Sequence, residues 1–134
     1  MDGLFAVERS QPQSANWGRE GLKSELANPS AQIWCAQEDG KICGFVSFRL
    51  AAGLAEILNV AVDVQHCRKG IGFALLQKVA DVLKKEGADT VTLEVNVRNI
   101  AAIGLYEKMG FYEVGHREKF YHFTDDALIM ERKL

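Results

Sequence analysis

Apolar residues recur at helical spacing over the first thirty residues and at the spacing of β-strands after that. Trp17, Leu22 and Leu26 lie on one side of a predicted helix, which must end before Pro29 because proline disfavours a helical residue before it. Beyond residue 30, apolar runs bounded by turn residues predict strands over 33–37, 42–50 and 55–62. The first half of the chain is therefore predicted to form one or two short helices followed by three antiparallel strands.

The second half of the chain alternates between the two periods. Leu75, Val79 and Leu83 form one stripe of a helix predicted over 71–86, which Gly87 would end. The remaining predicted elements are a strand over 90–97, a helix capped by Asn99 that runs to Lys108, and strands over 111–118 and 127–132. A strand, helix and strand in succession across 55–97 require one parallel pair. The predicted fold class is α/β (α+β), with a mostly antiparallel mixed sheet flanked by helices.

Composition and charge narrow the class of protein. The chain has 134 residues, 48% of them hydrophobic, which suits one domain over 1–134 with a single core. Its 16 basic and 18 acidic residues nearly cancel, so we expect neither nucleic acid nor a membrane as a partner. Cys35, Cys43 and Cys67 are odd in number and lack the spacing of metal ligands. We therefore expect no metal and a cytoplasmic location, with Cys35 and Cys43 as small core residues.

Two glycines in the segment CRKGIGFALL mark a candidate ligand site at the start of a helix. Gly70 and Gly72 lie where unpaired amide N–H groups and the helix dipole favour an anion, and Arg68 and Lys69 precede them. A phosphate or pyrophosphate would suit this site. The dinucleotide fingerprint requires a third glycine, but Leu75 occupies that position. A tight turn with close helix packing explains the same glycines, so the local pattern leaves both interpretations open.

The segments ILNVAVD, CRKGIGFALL and LEVNVRNIAAIGLYEKMGF resemble the GNAT acyltransferase superfamily, from about residue 33 to the end of the chain. The resemblance implies a sheet with splayed central parallel strands and acetyl-CoA as co-substrate. It implies that the pantetheine arm is bound by Val60, Ala61 and Val62, the pyrophosphate by Arg68, Lys69, Gly70, Ile71, Gly72 and Phe73, and the cofactor also by Asn99. Cys67 stands where the family usually has Gln or Arg. The first strand of the family is expected to be missing or truncated.

Acyl transfer from a thioester to an amine requires a base, a partner for the oxyanion and an acid for the thiolate. The resemblance assigns the general base to Glu94 and the general acid to Tyr106, with the oxyanion at the amide of Val60. From the residues alone, Glu94 fits the polar face of a strand, and Tyr106 also fits a core aromatic. Glu56 is the alternative base, because other branches of the superfamily carry their carboxylate on this strand. Since no nucleophilic Cys or Ser arrangement is present, we expect direct attack in a ternary complex.

The acceptor is indicated by the ending REKFYHFTDDALIM, which is similar to that of bacterial ribosomal-protein-alanine N-acetyltransferases. That similarity implies acetylation of the N-terminal α-amino group of a protein such as a ribosomal protein. Trp17 and the segment 120–126 supply aromatic and acidic surface for such a peptide. The alternatives are a small-amine or lysine acetyltransferase and, from another class, a non-catalytic acyl-CoA-binding sensor. We expect a monomer or a weak homodimer.

Overall fold

The computed structural model describes residues 2–11, 17–63, 70–121 and 125–134, with the backbone alone at 119–121. The helices are α1 (Asp2–Arg9), α2 (Gly18–Ala27), α3 (Ile71–Lys85) and α4 (Ile100–Lys108). The strands are β1 (Ala31–Glu38), β2 (Lys41–Ala51), β3 (Leu54–Val62), β4 (Thr90–Asn96), β5 (Tyr112–Tyr121) and β6 (Asp125–Lys133). The predicted order of elements is confirmed. The last hairpin is longer than predicted, because β5 and β6 keep pairing as far as Tyr121 and Asp125.

Within the described residues the strands form one sheet in the order β1-β2-β3-β4-β6-β5. The neighbours are antiparallel except for β3 and β4, which are parallel and joined through α3. Their pairing covers only 54–57 against 90–93. The two strands therefore separate after Ile57 and Leu93, which confirms the predicted splayed pair. We call the opening between them the split.

Helices pack on both faces of this sheet. The face under α3 and α4 holds the larger core, which includes Val46, Phe48, Leu76, Val79, Leu83, Leu93 and Met130. The opposite face carries α1 and α2 over β1, β2 and β3, with a smaller core of Leu4, Val7, Leu22, Phe45 and Ala61. α3 buries one apolar stripe, as its sequence period requires. In α2, Leu22 is buried, but Leu26, which was predicted on the same side, is 51% exposed. We call the two faces of the sheet the α3–α4 face and the α1–α2 face.

A β-bulge in β3 fixes which residues point to each face. Ser47 lies opposite Asn59 and Phe48 lies opposite Ile57, so Leu58 is an extra residue in β3. Asn59 therefore points to the α1–α2 face, where its side chain bonds to Glu8 of α1. Beyond the bulge, the side chains of β3 again alternate between the two faces, starting from the new orientation of Asn59.

The α1–α2 face contains a polar layer beneath its helices. Glu25 of α2 is 7% exposed and accepts hydrogen bonds from Ser47 Oγ at 3.2 Å and from Arg49 Nη2 at 2.6 Å. The bond to Glu25 raises the pKa of the Arg49 guanidinium above its ordinary value. A buried carboxylate is costly unless it is paired, so this contact holds α2 at one position on β2.

Glu8 of α1 is the most buried acid of this layer, at 1% exposure. Its carboxylate accepts hydrogen bonds from the backbone N–H of Trp17 and of Gly18, each at 2.8 Å, and from Asn59 Nδ2 at 2.7 Å. These three donors belong to the start of α2 and to β3. Glu8 therefore connects both N-terminal helices to the strand that borders the split.

The two described cysteines differ in their surroundings. Cys43 on β2 is 2% exposed and belongs to the interior, as predicted. The prediction for Cys35 is wrong, because its side chain is exposed. β1 is an edge strand and pairs on one side only, so its outward positions receive less cover than those of β2. No helix of the described part of the chain is long and apolar enough to cross a bilayer.

Candidate functional site

A cleft of about 220 Å³ lies where β3 ends and where α3 and α4 begin. The predicted cofactor residues that line it are Val60, Ala61, Val62, Gly70, Gly72, Phe73 and Asn99, and the predicted acid Tyr106 lines it as well. These residues come from three separate stretches of the sequence, and the fold gathers them at one end of β3. The cleft is therefore the place where the predicted cofactor site and the predicted acid meet.

Two other predicted residues, Ile71 and Glu94, are described but do not line the cleft. Ile71 is not part of the cleft wall, because its side chain packs against the core of the α3–α4 face. Arg68, Lys69 and Cys67 lie outside the described residues. Glu94 borders the split from the other face of the sheet, as described below.

Different physical reasons explain why glycine stands at the two positions at the start of α3. Gly70 has a φ of 76°, a left-handed conformation that side chains other than glycine rarely adopt. A Cβ on Gly72 would lie 3.3 Å from Leu105 Cδ2 and 3.5 Å from Val62 Cγ2. Gly70 thus permits the turn into α3, and Gly72 permits close approach to β3 and α4. Both residues also line the cleft, so the packing interpretation and the ligand interpretation are compatible.

Substitution of Gly70 with Ala is expected to lower the free energy of unfolding by about 1–2 kcal/mol, because the left-handed conformation is strained for an L-residue. Gly104, in the middle of α4, provides the matched control: its Cβ would meet nothing within 4 Å. Gly104→Ala should raise the stability by about 0.5–1 kcal/mol, because glycine is unfavourable in a helix interior. Urea denaturation of both variants measures the two effects. Equal effects of the two substitutions would contradict the assigned role of Gly70.

Asn99 and Tyr106 are both fixed by local structure. Asn99 Oδ1 accepts a hydrogen bond from the N–H of Ala102 at 3.2 Å, which confirms the predicted N-cap of α4. Tyr106 is 3% exposed, and its ring centroid lies 5.8 Å from that of Phe111. The tyrosine is therefore a core aromatic that also forms part of the cleft wall. Its ring position is set by packing, which suits a group that must present a hydroxyl at a defined place.

Gln11 is a cleft residue that the sequence did not indicate. Its side-chain Nε2 donates a hydrogen bond to the carbonyl oxygen of Val62 at 2.6 Å. The two residues are 51 positions apart, and Gln11 follows α1 without any motif around it. The carbonyl of Val62 belongs to the part of β3 that has lost β4 as a neighbour. A side-chain amide thus bonds to the strand end at the cleft.

Glu94 lies one residue beyond Leu93, the last position of β4 that pairs with β3. It alternates with Leu93 and Val95 of the α3–α4 core, so its side chain is on the α1–α2 face. Its carboxylate accepts a hydrogen bond from Arg117 Nη1 at 2.8 Å, and the side chain is 28% exposed. The polar-face interpretation was thus right about orientation. The residue borders the split between β3 and β4.

Glu56, the alternative base, has a different position. It is exposed and lies in the paired part of β3, opposite Thr92 on β4 and Arg49 on β2. The two strands are still joined by hydrogen bonds at this level. A substrate in the split would therefore meet Glu94 before Glu56.

Polar contacts also join the far ends of β4 and β6. Asn96 Nδ2 donates to Asp125 Oδ2 at 3.0 Å, and Arg98 Nε lies 2.9 Å from Asp125 Oδ1. His116 Nε2 lies 2.8 Å from Asp126 Oδ2, a contact that the sequence spacing did not predict. Of the predicted acceptor surface, Trp17 packs against the small core of the α1–α2 face, and 122–124 lie outside the described residues. Among the side chains described, no three His, Cys, Asp or Glu residues form a group that could hold a metal.

Comparison with known proteins decides the family. Residues 3–111 match the acetyltransferase (GNAT) family. The chain belongs to this family. A relative from Escherichia coli K12, a [ribosomal protein bS18]-alanine N-acetyltransferase, is 42% identical over 96 residues, which span 69% of this chain and 65% of the relative. The chain thus matches slightly less than two thirds of that relative's length.

Solved structures extend the similarity to the whole GNAT fold. The crystal structure of the ribosomal-protein-S18-alanine N-acetyltransferase from E. coli has a TM-score of 0.87 at 30% identity, covering 98% of this chain and 86% of the other. The PaiA N-acetyltransferase of Thermoplasma acidophilum, in complex with coenzyme A, has a TM-score of 0.70 at 28% identity, over 86% of this chain and 70% of the other. The predicted fold and family are confirmed. The roles of the individual residues stay predictions.

Proposed function

We propose that this GNAT protein transfers the acetyl group of acetyl-CoA to the N-terminal α-amino group of a protein by direct attack in a ternary complex. The observation that carries the proposal is the split between β3 and β4, which has the cleft with Tyr106 on one side and Glu94 on the other. A thioester and an amine can meet at such an opening from opposite faces of the sheet. Membership of the family and the coenzyme A in the T. acidophilum structure support the choice of cofactor.

The described residues fit acetyl-CoA in three respects. The first turn of α3 has no acidic residue, and Gly70 and Gly72 leave its amides without side-chain cover. An N-terminus of this kind suits a pyrophosphate. Val60, Ala61 and Val62 belong to a strand end without β4 beside it, which suits an extended amide-containing arm such as pantetheine. We therefore assign these residues to the cofactor, together with Asn99, which also lines the cleft.

The proposed reaction needs two proton transfers. Glu94, acting through a water molecule, removes a proton from the acceptor ammonium, and the neutral amine attacks the thioester carbonyl carbon. The N–H of Val60 stabilises the resulting oxyanion. The carbon–sulfur bond then breaks, and the Tyr106 hydroxyl protonates the departing thiolate. The amide nitrogen then loses its second proton, which restores the Tyr106 hydroxyl through solvent, and Glu94 releases the proton that it took.

An α-amino acceptor matches the modest strength of a carboxylate base. With a pKa near about 8, roughly one tenth of α-amino groups are neutral at pH 7, against about one in 2,500 for a lysine side chain with a pKa near about 10.4. The E. coli relatives are named for the alanine of ribosomal protein S18. We therefore propose a ribosomal protein with N-terminal alanine as the substrate, and hence a cytoplasmic enzyme. A monomer or weak homodimer stays our expectation for its oligomeric state.

The proposal is tested by incubating the purified protein with acetyl-CoA and peptides that differ in their first residue, with one peptide of blocked N-terminus that carries lysine. Fragmentation mass spectrometry locates the acetyl group. We expect acetylation of α-amino groups, with a preference for small first residues. Tyr106→Phe keeps the buried ring and should lower the rate about tenfold to a hundredfold.

Two results would contradict the proposed function. Acetylation of lysine alone would mean that the acceptor is a side-chain amine or a small amine and not an α-amino group. Binding of acetyl-CoA in calorimetry, without transfer to any peptide, would leave a small-amine acetyltransferase or a sensor. A Tyr106→Phe variant with full activity would remove the tyrosine from the mechanism.

A further inference from the structure

Asn59 has a buried side chain whose amide is only half satisfied. The residue is 4% exposed, and its Nδ2 donates to Glu8 Oε2 at 2.7 Å. Its Oδ1 is buried and has no hydrogen-bond partner among the residues that the structure describes. Buried polar atoms are nearly always paired in native proteins, so a lone acceptor calls for an explanation.

The orientation of this amide is set by Glu8. A carboxylate accepts hydrogen bonds, so an inverted amide would bring two acceptor oxygens together. Glu8 cannot turn away easily, because the backbone N–H groups of Trp17 and Gly18 also bond to its carboxylate. The network therefore keeps Nδ2 of Asn59 as the used donor and Oδ1 as the unused acceptor.

Asn59 lies on β3 where that strand separates from β4. Pairing of β3 with β4 ends at Ile57, and the bulge at Leu58 turns Asn59 to the α1–α2 face. Glu94 borders the split on the same face from β4. Asn59 also directly precedes Val60, which lines the cleft. The split is therefore bordered on one face by Glu94 from β4 and by Asn59 from β3.

We propose that Asn59 binds the acceptor amine, with Oδ1 accepting one N–H of the attacking nitrogen. This inference rests on the proposed function. A primary ammonium has three N–H groups: Glu94 removes one proton through water, the second hydrogen bonds to Asn59, and the third leaves after attack. The hydrogen bonded to Asn59 remains on the amide product. The bond directs the nitrogen lone pair during attack and makes the site selective for primary amines.

A secondary amine cannot meet both requirements. After the first deprotonation it holds one hydrogen, which must either stay on Asn59 or leave for the amide to form. The preference for a peptide beginning with alanine over the same peptide beginning with N-methylalanine therefore depends partly on Asn59. This ratio of rates is a readout that a purely structural asparagine would not change.

The test compares Asn59→Leu with wild type on these two peptides. We expect kcat/KM for the alanine peptide to fall about tenfold or more. The ratio of the rate with the alanine peptide to the rate with the N-methylalanine peptide should decrease. The Kd for coenzyme A should stay within about twofold of the wild-type value. Ser47→Ala is the matched control, because Ser47 lies opposite Asn59 in the same polar layer but on β2, away from the split. It should leave the ratio between the peptides unchanged.

The outcomes separate the two claims. Active wild type with an unchanged ratio in Asn59→Leu overturns this inference alone. An equal loss on both peptides together with weaker coenzyme A binding also overturns it, by making Asn59 a structural residue. Wild type that acetylates neither peptide overturns the proposed function and this inference together. If Asn59→Leu does not fold, Asn59→Ser replaces it, since its short hydroxyl cannot bond to both Glu8 and the amine, and the same narrowing is expected.

Discussion

Substitution of Glu94 with Gln is expected to lower kcat for peptide acetylation about a hundredfold at neutral pH. Glutamine keeps the size of the side chain and can still accept a hydrogen bond from Arg117, but it cannot take a proton from the amine. The side chain is partly exposed at the split, so the fold should be retained. Steady-state kinetics with the alanine peptide measure kcat, and circular dichroism shows whether the fold is retained.

The pH dependence of the activity lost in Glu94→Gln provides a second test of the base role of Glu94. Above the pKa of the α-amino group, near about 8, most of the acceptor is already neutral and needs no base. The deficit of Glu94→Gln should therefore shrink between pH 7 and pH 9. Glu56→Gln is the control, because Glu56 lies in the paired part of β3. If Glu56→Gln instead caused the loss, the role of base would belong to Glu56.

Substitution of Glu8 with Leu is expected to lower the free energy of unfolding by about 3–5 kcal/mol. Leucine has a similar volume but accepts no hydrogen bond, so the N–H groups of Trp17 and Gly18 and the amide of Asn59 would lose their acceptor inside the protein. Urea denaturation followed by circular dichroism gives the difference.

An exposed glutamate on the neighbouring helix provides the comparison for Glu8. Glu20→Leu, in the first turn of α2, should change the stability by less than about 1 kcal/mol. Apolar side chains sometimes replace buried charges without loss. A Glu8→Leu protein as stable as wild type would mean that the three donors find water, and that Glu8 is not required to hold the N-terminal helices on β3.

The sequence predicted the elements of the fold because their periods are strong and local. The stripe of Leu75, Val79 and Leu83 is buried on the sheet, and Asn99 caps α4 as expected. The split was predicted by the resemblance to GNAT proteins, since no local pattern in β3 or β4 reveals where two strands separate. The grouping of Val60 with Tyr106 in one cleft came from the same source.

The contacts that the sequence did not predict join distant parts of the chain. Glu8 and Asn59 are 51 residues apart, as are Gln11 and Val62, and neither pair has a motif around it. The exposure of Cys35 depends on β1 being an edge strand, which a pattern of alternating residues does not specify. Such features follow from the assembled sheet and not from any window of sequence.

The short pairing of β3 with β4 has a mechanical consequence. The sheet has two three-stranded halves, β1-β2-β3 and β4-β6-β5, and among the described residues the ladder between β3 and β4 that joins them covers 54–57 and 90–93. A ligand that bridges the split adds a second connection between the halves at the opposite end of the same two strands. Hydrogen exchange in the presence of coenzyme A should therefore slow most at the amides of 58–62, and the two halves should then unfold as one unit at a higher temperature.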